Sequence, residues 1–392
     1  MNEPTLFDNL YERSLPYDTL HYGNVKHRDV HNIYGMLQTM STHQGLIARD
    51  GGKLRPFILS RAYFAGQQRY ANKWSGDNWG HFEDLRFSVP MALTSNLLGV
   101  AFYGADIPGF FGTATEELLI KWYQIGIWLP FFRAHAANGS PRREPYRFNN
   151  DTQIILRETI GLRYKHLPYW YTLFYEHTRT GDPIVRPLLY EYPEDKTGHS
   201  LTDQLLVGSD ILTSSVYESN ATSVSIYFPG NNQSWFQVTG NRVVFESGTW
   251  SDVPVDLTFN PVFYRSGSII PRKPNVQRST ADIKDDPNEL HVVPDQNGNA
   301  TGRIYIDDFE SFNYANEKQY LYVNLDYDAS SKSVQITSVD SDNDASNFTL
   351  SVQTIYLYNK KDDETFTIEK VEQTRDGVSL VDLDLSTQPI LL

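Results

Sequence analysis

The run Gly99-Val100-Ala101-Phe102-Tyr103-Gly104, followed by Ala105-Asp106, carries the clearest signal of the fold. A short apolar run bounded by glycines is typical of a buried strand. Pro56-Phe57-Ile58-Leu59-Ser60 repeats the pattern. Helical periodicity lies around these runs, over residues 27–40, 116–126 and 153–178. This alternation predicts parallel strands with crossover helices over residues 1–190.

Polar residues follow these apolar runs, where the predicted strands end. They are Arg61, Asp77, Asp106 and His135, and each precedes a loop rich in glycine, aromatic or polar residues. In an eight-stranded βα barrel the carboxyl ends of the strands form the catalytic face. We therefore expect these four side chains to converge, although any one of them alone is better explained as an ion pair or a helix cap.

The second half of the chain has a different texture. Val224-Ser225-Ile226-Tyr227-Phe228 and Arg303-Ile304-Tyr305-Ile306 alternate with period two between turns rich in Gly, Pro and Asn. The pattern predicts two antiparallel β-sandwich domains, over 191–273 and 274–392. Pro, Lys, Arg and Asn cluster where the two domains are expected to meet.

Composition limits the class of ligand. A net charge of −14 argues against electrostatic binding of nucleic acid, and an aromatic content of 14% suits carbohydrate, whose ring faces stack on aromatic side chains. No apolar run is long enough to span a bilayer, and with no cysteine there is neither a disulfide nor a thiolate metal site. Six Asn-x-Ser/Thr sequons suit the secretory pathway, although several are expected by chance.

Specific motifs then extend the prediction. They are Met1-Asn2-Glu3-Pro4, the run His27 to Gly35, Ser60 to Tyr70, Trp74-Ser75-Gly76-Asp77-Asn78, Gly104 to Phe111, and Pro130 to His135. Together they resemble glycoside hydrolase family 31. The resemblance implies the carboxyl-terminal half of a (β/α)8 TIM barrel followed by the two β domains, hence an α/β plus all-β fold.

The resemblance also implies a role for individual residues. Asp77 matches the acid/base of a retaining α-glucosidase. Arg61 and His135 match residues that hydrogen-bond the hydroxyls of the sugar, and Asp106 matches another residue of that pocket. Trp74 and Phe110 match its aromatic walls. No cofactor and no metal is implied.

The family's nucleophile is the aspartate immediately before the Met-Asn-Glu-Pro run, and this sequence starts at Met1. We therefore expect the chain to be the carboxyl-terminal part of a longer enzyme, without the nucleophile. Glu3 is a poor substitute, since two residues along a strand displace its carboxylate by about 6–7 Å. The alternative is a noncatalytic sugar-binding or scaffold protein with a partial site.

Within the family, the chain most resembles the enzymes that trim glucose from N-linked glycans in the lumen of the endoplasmic reticulum. A noncatalytic β subunit is then the expected partner, beside the α-linked glucoside substrate. Maltose- and starch-cleaving relatives share the same pocket residues, so the substrate stays open between these classes.

Other site patterns are weaker. His27 and His31 have helical metal-ligand spacing, but Arg28 stands where the metalloprotease motif needs a glutamate. Two acidic runs, which begin at Asp295 and Asp340, start like calcium loops but lack the glycine at the sixth position. Turn formation by Asp and Asn explains both runs better.

Overall fold

The computed structural model describes residues 2–5, 14–372 and 390–391, so Met1 of the Met-Asn-Glu-Pro motif lies outside the described residues. The helices are α1 His27–Arg49, α2 Phe82–Leu97, α3 Glu116–Gly126, α4 Asn150–Lys165, α5 Leu167–Thr180, α6 Leu188–Glu191 and α7 Asn313–Asn316. Short 3-10 helices cover Tyr22–Asn24, Gln67–Arg69, Pro145–Arg147, Gly198–Ser200 and Thr280–Asp282.

The strands of the first half are β1 Leu59–Ser60, β2 Asn72–Trp74, β3 Tyr103–Gly104, β4 Asp106–Ile107, β5 Arg133–Ala134 and β6 Val185–Arg186. Those that follow are β7 Gln204–Val207, β8 Ile211–Ser214, β9 Ser223–Phe228, β10 Ser234–Gln237, β11 Val244–Glu246, β12 Thr249–Pro254, β13 Val262–Arg265 and β14 Ser268–Arg272. The last are β15 Asn288–Val293, β16 Asn299–Ile306, β17 Leu321–Asp328, β18 Ser333–Ser338, β19 Val352–Lys360, β20 Phe366–Glu372 and β21 Ile390–Leu391.

Parallel strands line up side by side in the first half of the chain. Asn2 bridges Ser60 in parallel, β1, β2 and β3 form a parallel sheet in that order, and β4 pairs in parallel with β5. The Phe131 amide donates to the Tyr103 carbonyl at 3.0 Å, which links the two groups of strands. The predicted parallel, barrel-like arrangement is therefore confirmed.

Helices pack against these strands: α2 contacts β3, and α3 contacts β4. The hydroxyl of Thr115 accepts from the Leu118 amide at 3.2 Å and caps α3, whose residues from Leu118 onward are buried. The single helix predicted over 153–178 is two helices, divided at His166. Pro168 explains the break, because proline has no amide proton for the helical ladder and suits the first turn of a new helix.

Antiparallel pairing dominates the second half. A six-stranded sheet has the order β11-β10-β13-β8-β7-β6, and β9 pairs with β12. An eight-stranded sheet has the order β20-β19-β15-β14-β16-β17-β18-β21, in which the pairings β14–β16 and β15–β19 are parallel. This sheet is therefore mixed, with two parallel pairings among antiparallel ones.

The domain limits at 190 and 273 stay predictions, but strand pairing places particular strands. Val185–Arg186 already pairs with β7 of the six-stranded sheet. Ser268–Arg272 pairs with β15 of the eight-stranded sheet. β6 and β14 precede the limits predicted at 190 and 273, but their hydrogen bonds place them in the sheets that follow those limits.

Buried polar contacts fix the helical part against the β regions. His166, between α4 and α5, contacts the Tyr264 hydroxyl of β13 at 2.5 Å. The Asp307 carboxylate accepts from the Tyr171 hydroxyl at 2.5 Å and from the Tyr305 hydroxyl at 2.9 Å. Within the described residues, no helix is long and apolar enough to cross a membrane.

Candidate active site

The four polar residues predicted at strand ends lie at one edge of the parallel strands. Arg61 follows β1, and Asp77 lies in the turn after β2. Asp106 opens β4 directly after β3, and His135 follows β5. Because these strands run in the same direction, the segments that follow them emerge on the same side.

Arg61 joins two carboxylates. Its Nη1 donates to Glu3 Oε1 at 2.9 Å and lies 3.5 Å from Asp77 Oδ2. Lys73 holds the backbone here, because its Nζ donates to the Arg61 carbonyl at 2.6 Å. Burial, and then the charge of Arg61, lowers the pKa of Lys73 to about 8. Arg61 therefore connects the Met-Asn-Glu-Pro motif to the predicted acid/base.

Glu3 is engaged in the structure. Besides Arg61, its Oε1 accepts from the Thr5 hydroxyl at 2.7 Å. These two contacts make Glu3 an anchor for Arg61, which agrees with the sequence argument against a nucleophilic role.

Asp106 is completely buried and pairs with Arg133. Its Oδ1 accepts from Arg133 Nη2 at 2.5 Å and from Nε at 3.2 Å. Among the described residues, the other oxygen, Oδ2, has no hydrogen-bond partner. Burial raises the pKa of Asp106, with a smaller contribution from the nearby Asp77 carboxylate, while the charges of Arg133 and His135 oppose the rise.

Arg133 also contacts the predicted aromatic wall. The centre of its guanidinium lies 5.5 Å from the centroid of the Trp74 ring, which is 2% exposed. Such a cation–π contact orients both groups. Arg133 thus contacts both Trp74 and Asp106 and connects them.

Asn78, next to Asp77, connects the remaining residues. Its Nδ2 donates to the Asp106 carbonyl at 3.0 Å, and its own carbonyl accepts from the Phe110 amide at 2.8 Å. The Phe110 ring in turn lies 5.2 Å from the His135 ring, centroid to centroid. Contacts therefore link all six predicted site residues, through Asn78 and Arg133.

Sequence reasoning assigned no role to Arg133, Asn78 or Lys73. A signal for Arg133 was present, because Arg133 lies in the quoted Pro130 to His135 motif, two residues before His135. Asn78 is part of the quoted motif around Asp77, but its bond to the Asp106 carbonyl depends on a loop contact that no local pattern encodes.

The histidine spacing noted above forms a hydrogen-bonded chain. His27 Nδ1 lies 3.0 Å from His21 Nε2, and His27 Nε2 lies 3.1 Å from His31 Nδ1. The two nitrogens of His27 therefore face different partners. In the described part of the chain, no group of three or more His, Cys, Asp or Glu residues is arranged to hold a metal ion.

Comparison with protein families agrees with this arrangement. Residues 1–173 match the glycosyl hydrolases family 31 TIM-barrel domain, and residues 181–270 match the C-terminal domain of the same family. The chain belongs to glycoside hydrolase family 31. The match covers the parallel strands that carry the candidate site and the whole six-stranded sheet.

Relatives within family 31 are similar over most of this chain. Over 82% of this chain, it is 44% identical to neutral alpha-glucosidase AB of Sus scrofa. Over 80% of this chain, it is 45% identical to a probable glucan 1,3-alpha-glucosidase of Arabidopsis thaliana. In both cases the match covers 34% of the relative. The chain thus spans about a third of the length of these relatives.

Solved structures of family 31 share the fold. The catalytic subunit in a complex of ER glucosidase II with the binding domain of its regulatory subunit superposes with a TM-score of 0.86 at 35% identity, over 92% of this chain and 40% of that one. A dextranase of Flavobacterium johnsoniae gives a TM-score of 0.79 at 29% identity, over 88% and 43%.

Proposed function

We propose that the protein carrying this chain is a retaining exo-α-glucosidase, and that this chain supplies its acid/base and part of its glucose pocket. In this proposal Asp77 protonates the leaving oxygen. Arg61, Asp106 and His135 bind the hydroxyls of the glucose, and Trp74 and Phe110 line the pocket.

The observation that carries the proposal is the free oxygen of Asp106. A buried carboxylate oxygen without a partner is costly, so it calls for a donor that the described residues do not provide. A sugar hydroxyl is such a donor. Arg133 binds the other oxygen of this carboxylate, Oδ1, and thereby holds Oδ2 in one orientation for that hydroxyl.

The same arrangement supports specificity for a sugar. A pocket whose buried acceptor needs a hydroxyl rejects a ligand that lacks it, since the acceptor is then left unpaired. His135 lies beside Phe110, so the site offers a polar group and an apolar wall side by side. Carbohydrates present the matching combination of hydroxyls and an apolar ring face.

Retention requires a second carboxylate about 5–5.5 Å from the acid, which attacks the anomeric carbon. By the family resemblance, that nucleophile is the aspartate immediately before the Met-Asn-Glu-Pro run. Catalysis is therefore proposed for the full-length gene product. Asp77 would act first as acid and then as base toward water.

Three further statements belong to the proposal. The substrate class is α-linked glucan or the glucose residues of N-glycans, in keeping with relatives named as neutral alpha-glucosidase and glucan 1,3-alpha-glucosidase. The partner is a noncatalytic β subunit, by analogy with the regulatory subunit in the ER glucosidase II complex. The location is the lumen of the endoplasmic reticulum.

The direct experiment is hydrolysis of nigerose and maltose by the full-length gene product and its Asp77→Asn variant. We expect release of glucose by the wild type and a loss of about 100-fold or more in the variant, the usual contribution of a general acid. Glu83→Gln, an exposed change near Asp77, is the control. Unchanged turnover in Asp77→Asn would remove the assignment.

A further inference from the structure

We propose that Arg143 is a positioning residue of this site, which holds the loop Gly109–Gly112 and thereby the turn that carries Asp77. The inference rests on the proposed function, since it assigns a consequence to the placement of the acid. Arg143 itself is not expected to contact the substrate.

The guanidinium of Arg143 joins both ends of this loop. Nη1 donates to the Gly109 carbonyl at 2.8 Å, and Nη2 donates to the Gly112 carbonyl at 2.7 Å. Between these glycines stand Phe110 and Phe111. One side chain therefore fixes the two points where the loop leaves and rejoins the rest of the structure.

The loop needs such a support because glycines form its ends. Gly109 has φ +101° and Gly112 has φ +78°, conformations that glycine adopts readily and other residues avoid. Glycine also has more backbone freedom to lose than any other residue when the chain becomes ordered. Two charge-assisted bonds to the glycine carbonyls restrict that freedom.

The loop is tied in turn to the residues that follow Asp77. The amides of Phe110 and Phe111 both donate to the Asn78 carbonyl, at 2.8 and 2.9 Å, and the Gly80 amide donates to the Phe111 carbonyl at 2.9 Å. The two backbones are so close that a Cβ on Gly109 would lie 2.3 Å from the Gly80 nitrogen. A shift of the loop must therefore move the turn that carries Asp77.

Arginine suits this task better than lysine does. Its planar fork can donate along two directions at once, whereas an ammonium group is a single point of charge. Among the described residues, no carboxylate forms an ion pair with Arg143, so carbonyl oxygens receive its donors. A partly buried guanidinium bonded only to carbonyls is what a clamp on backbone requires.

Arg142 provides a matched comparison at the next position. Its side chain is 60% exposed, pairs with Glu144 at 3.0 Å and bonds the Tyr146 hydroxyl, instead of the Gly109 and Gly112 carbonyls. Removing Arg142 changes the net charge as much as removing Arg143 does, but leaves the clamp in place.

The functional consequence concerns the leaving group. A poor leaving group, such as the sugar of nigerose, needs protonation by a well-placed acid, whereas fluoride leaves without that help. Misplacing Asp77 should therefore lower kcat/KM for nigerose much more than for α-glucosyl fluoride. The ratio of the two constants is independent of the amount of folded enzyme, so a loss of stability alone leaves it unchanged.

The test measures this ratio for the full-length gene product and its Arg143→Met, Arg143→Lys and Arg142→Met variants. We expect Arg143→Met to lower the ratio by about 10- to 100-fold, as misplacement of a catalytic group by about 1 Å does. The ratio for Arg143→Lys should lie between those of the wild type and Arg143→Met, because the lysine can reach one carbonyl. The ratio for Arg142→Met should match that of the wild type. If Arg143→Met does not fold, the lysine variant decides alone.

A ratio within twofold of the wild type in the Arg143 variants overturns the proposal, even where both rates fall. If instead the wild type cleaves neither substrate, the proposed function has failed. Amide hydrogen exchange then tests separately whether Arg143 holds the Gly109–Gly112 loop, which is the clamp. Faster exchange at Gly80, Phe110 and Phe111 in Arg143→Met than in Arg142→Met then supports the clamp, and equal exchange refutes it.

Discussion

Arg133 places two donors on a single oxygen of Asp106, at 2.5 and 3.2 Å, and leaves the other oxygen of that buried carboxylate without a partner in the described part of the chain. The pair therefore satisfies only one of the two carboxylate oxygens among the described residues. Arg133 compensates the charge of the carboxylate, while its buried Oδ2 has no donor among the described residues.

Arg133→Met should be strongly destabilising at neutral pH. Removing one partner of a buried ion pair leaves an uncompensated charge, and we expect the free energy of unfolding to fall by about 3 kcal/mol. Urea unfolding at pH 7.5 measures this. Asp342→Asn, which removes the exposed ion pair with Lys318, serves as control and should cost less than about 1 kcal/mol.

The same variant should recover at low pH. Burial already raises the pKa of Asp106 above 3.8, and loss of Arg133 raises it further. A carboxyl with a raised pKa binds its proton more tightly when folded, so stability falls as the pH rises through that window. We expect a smaller deficit against the wild type at pH 5 than at pH 7.5; an equal deficit would contradict the charge argument.

Gly109→Ala tests the close contact between the loops. Its Cβ would meet the Gly80 nitrogen at 2.3 Å, and its φ of +101° is strained for alanine. Gly139 has φ +81° and no atom within 4 Å of the point where a methyl group would stand, so Gly139→Ala isolates the backbone strain. We expect about 1–2 kcal/mol for Gly139→Ala and clearly more for Gly109→Ala.

Chemical denaturation of both glycine variants makes the comparison. Equal losses would mean that the Gly109 loop can move away from Gly80 at no cost, which contradicts the coupling between the loop and the turn after Asp77.

His166 should make the protein sensitive to acid. Burial, and then the charge of Arg272, holds the pKa of His166 well below 6.5. A histidine with a depressed pKa contributes its full stability above pH 6.5, and that contribution is lost as the pH falls below this value. The slope for one histidine reaches about 1.4 kcal/mol per pH unit.

Unfolding free energies of the wild type and His166→Gln, measured between pH 7.5 and 5.5, test this. The variant should lack part of the fall seen in the wild type, while His199→Gln, at an exposed histidine, should keep all of it. Identical pH profiles for wild type and His166→Gln would contradict a buried neutral imidazole.

Local patterns predicted the parallel part of the fold well, because strand ends and helical periodicity are encoded by neighbouring residues. The range 116–126 matches α3, and the residues expected at strand ends lie there. The parallel pairings β14–β16 and β15–β19 were not foreseen, since the choice of a ladder partner depends on segments far apart in sequence.

The sequence names candidate site residues one by one, and their roles stay predictions, but their structural partners were not foreseen. Arg61 was expected to face the sugar, and the structure also joins it to Glu3 across 58 positions of sequence. The Asp106–Arg133 pair likewise spans two strands. Such contacts follow from tertiary packing, which a motif does not specify.

Azide rescue of an Asp77→Ala variant of the full-length gene product tests the central claim most directly. Azide attacks the glucosyl-enzyme without a general base, so it should accelerate turnover of α-glucosyl fluoride and give α-glucosyl azide, with retained configuration. No acceleration, or a β-configured product, would contradict Asp77 as the acid/base of a retaining α-glucosidase.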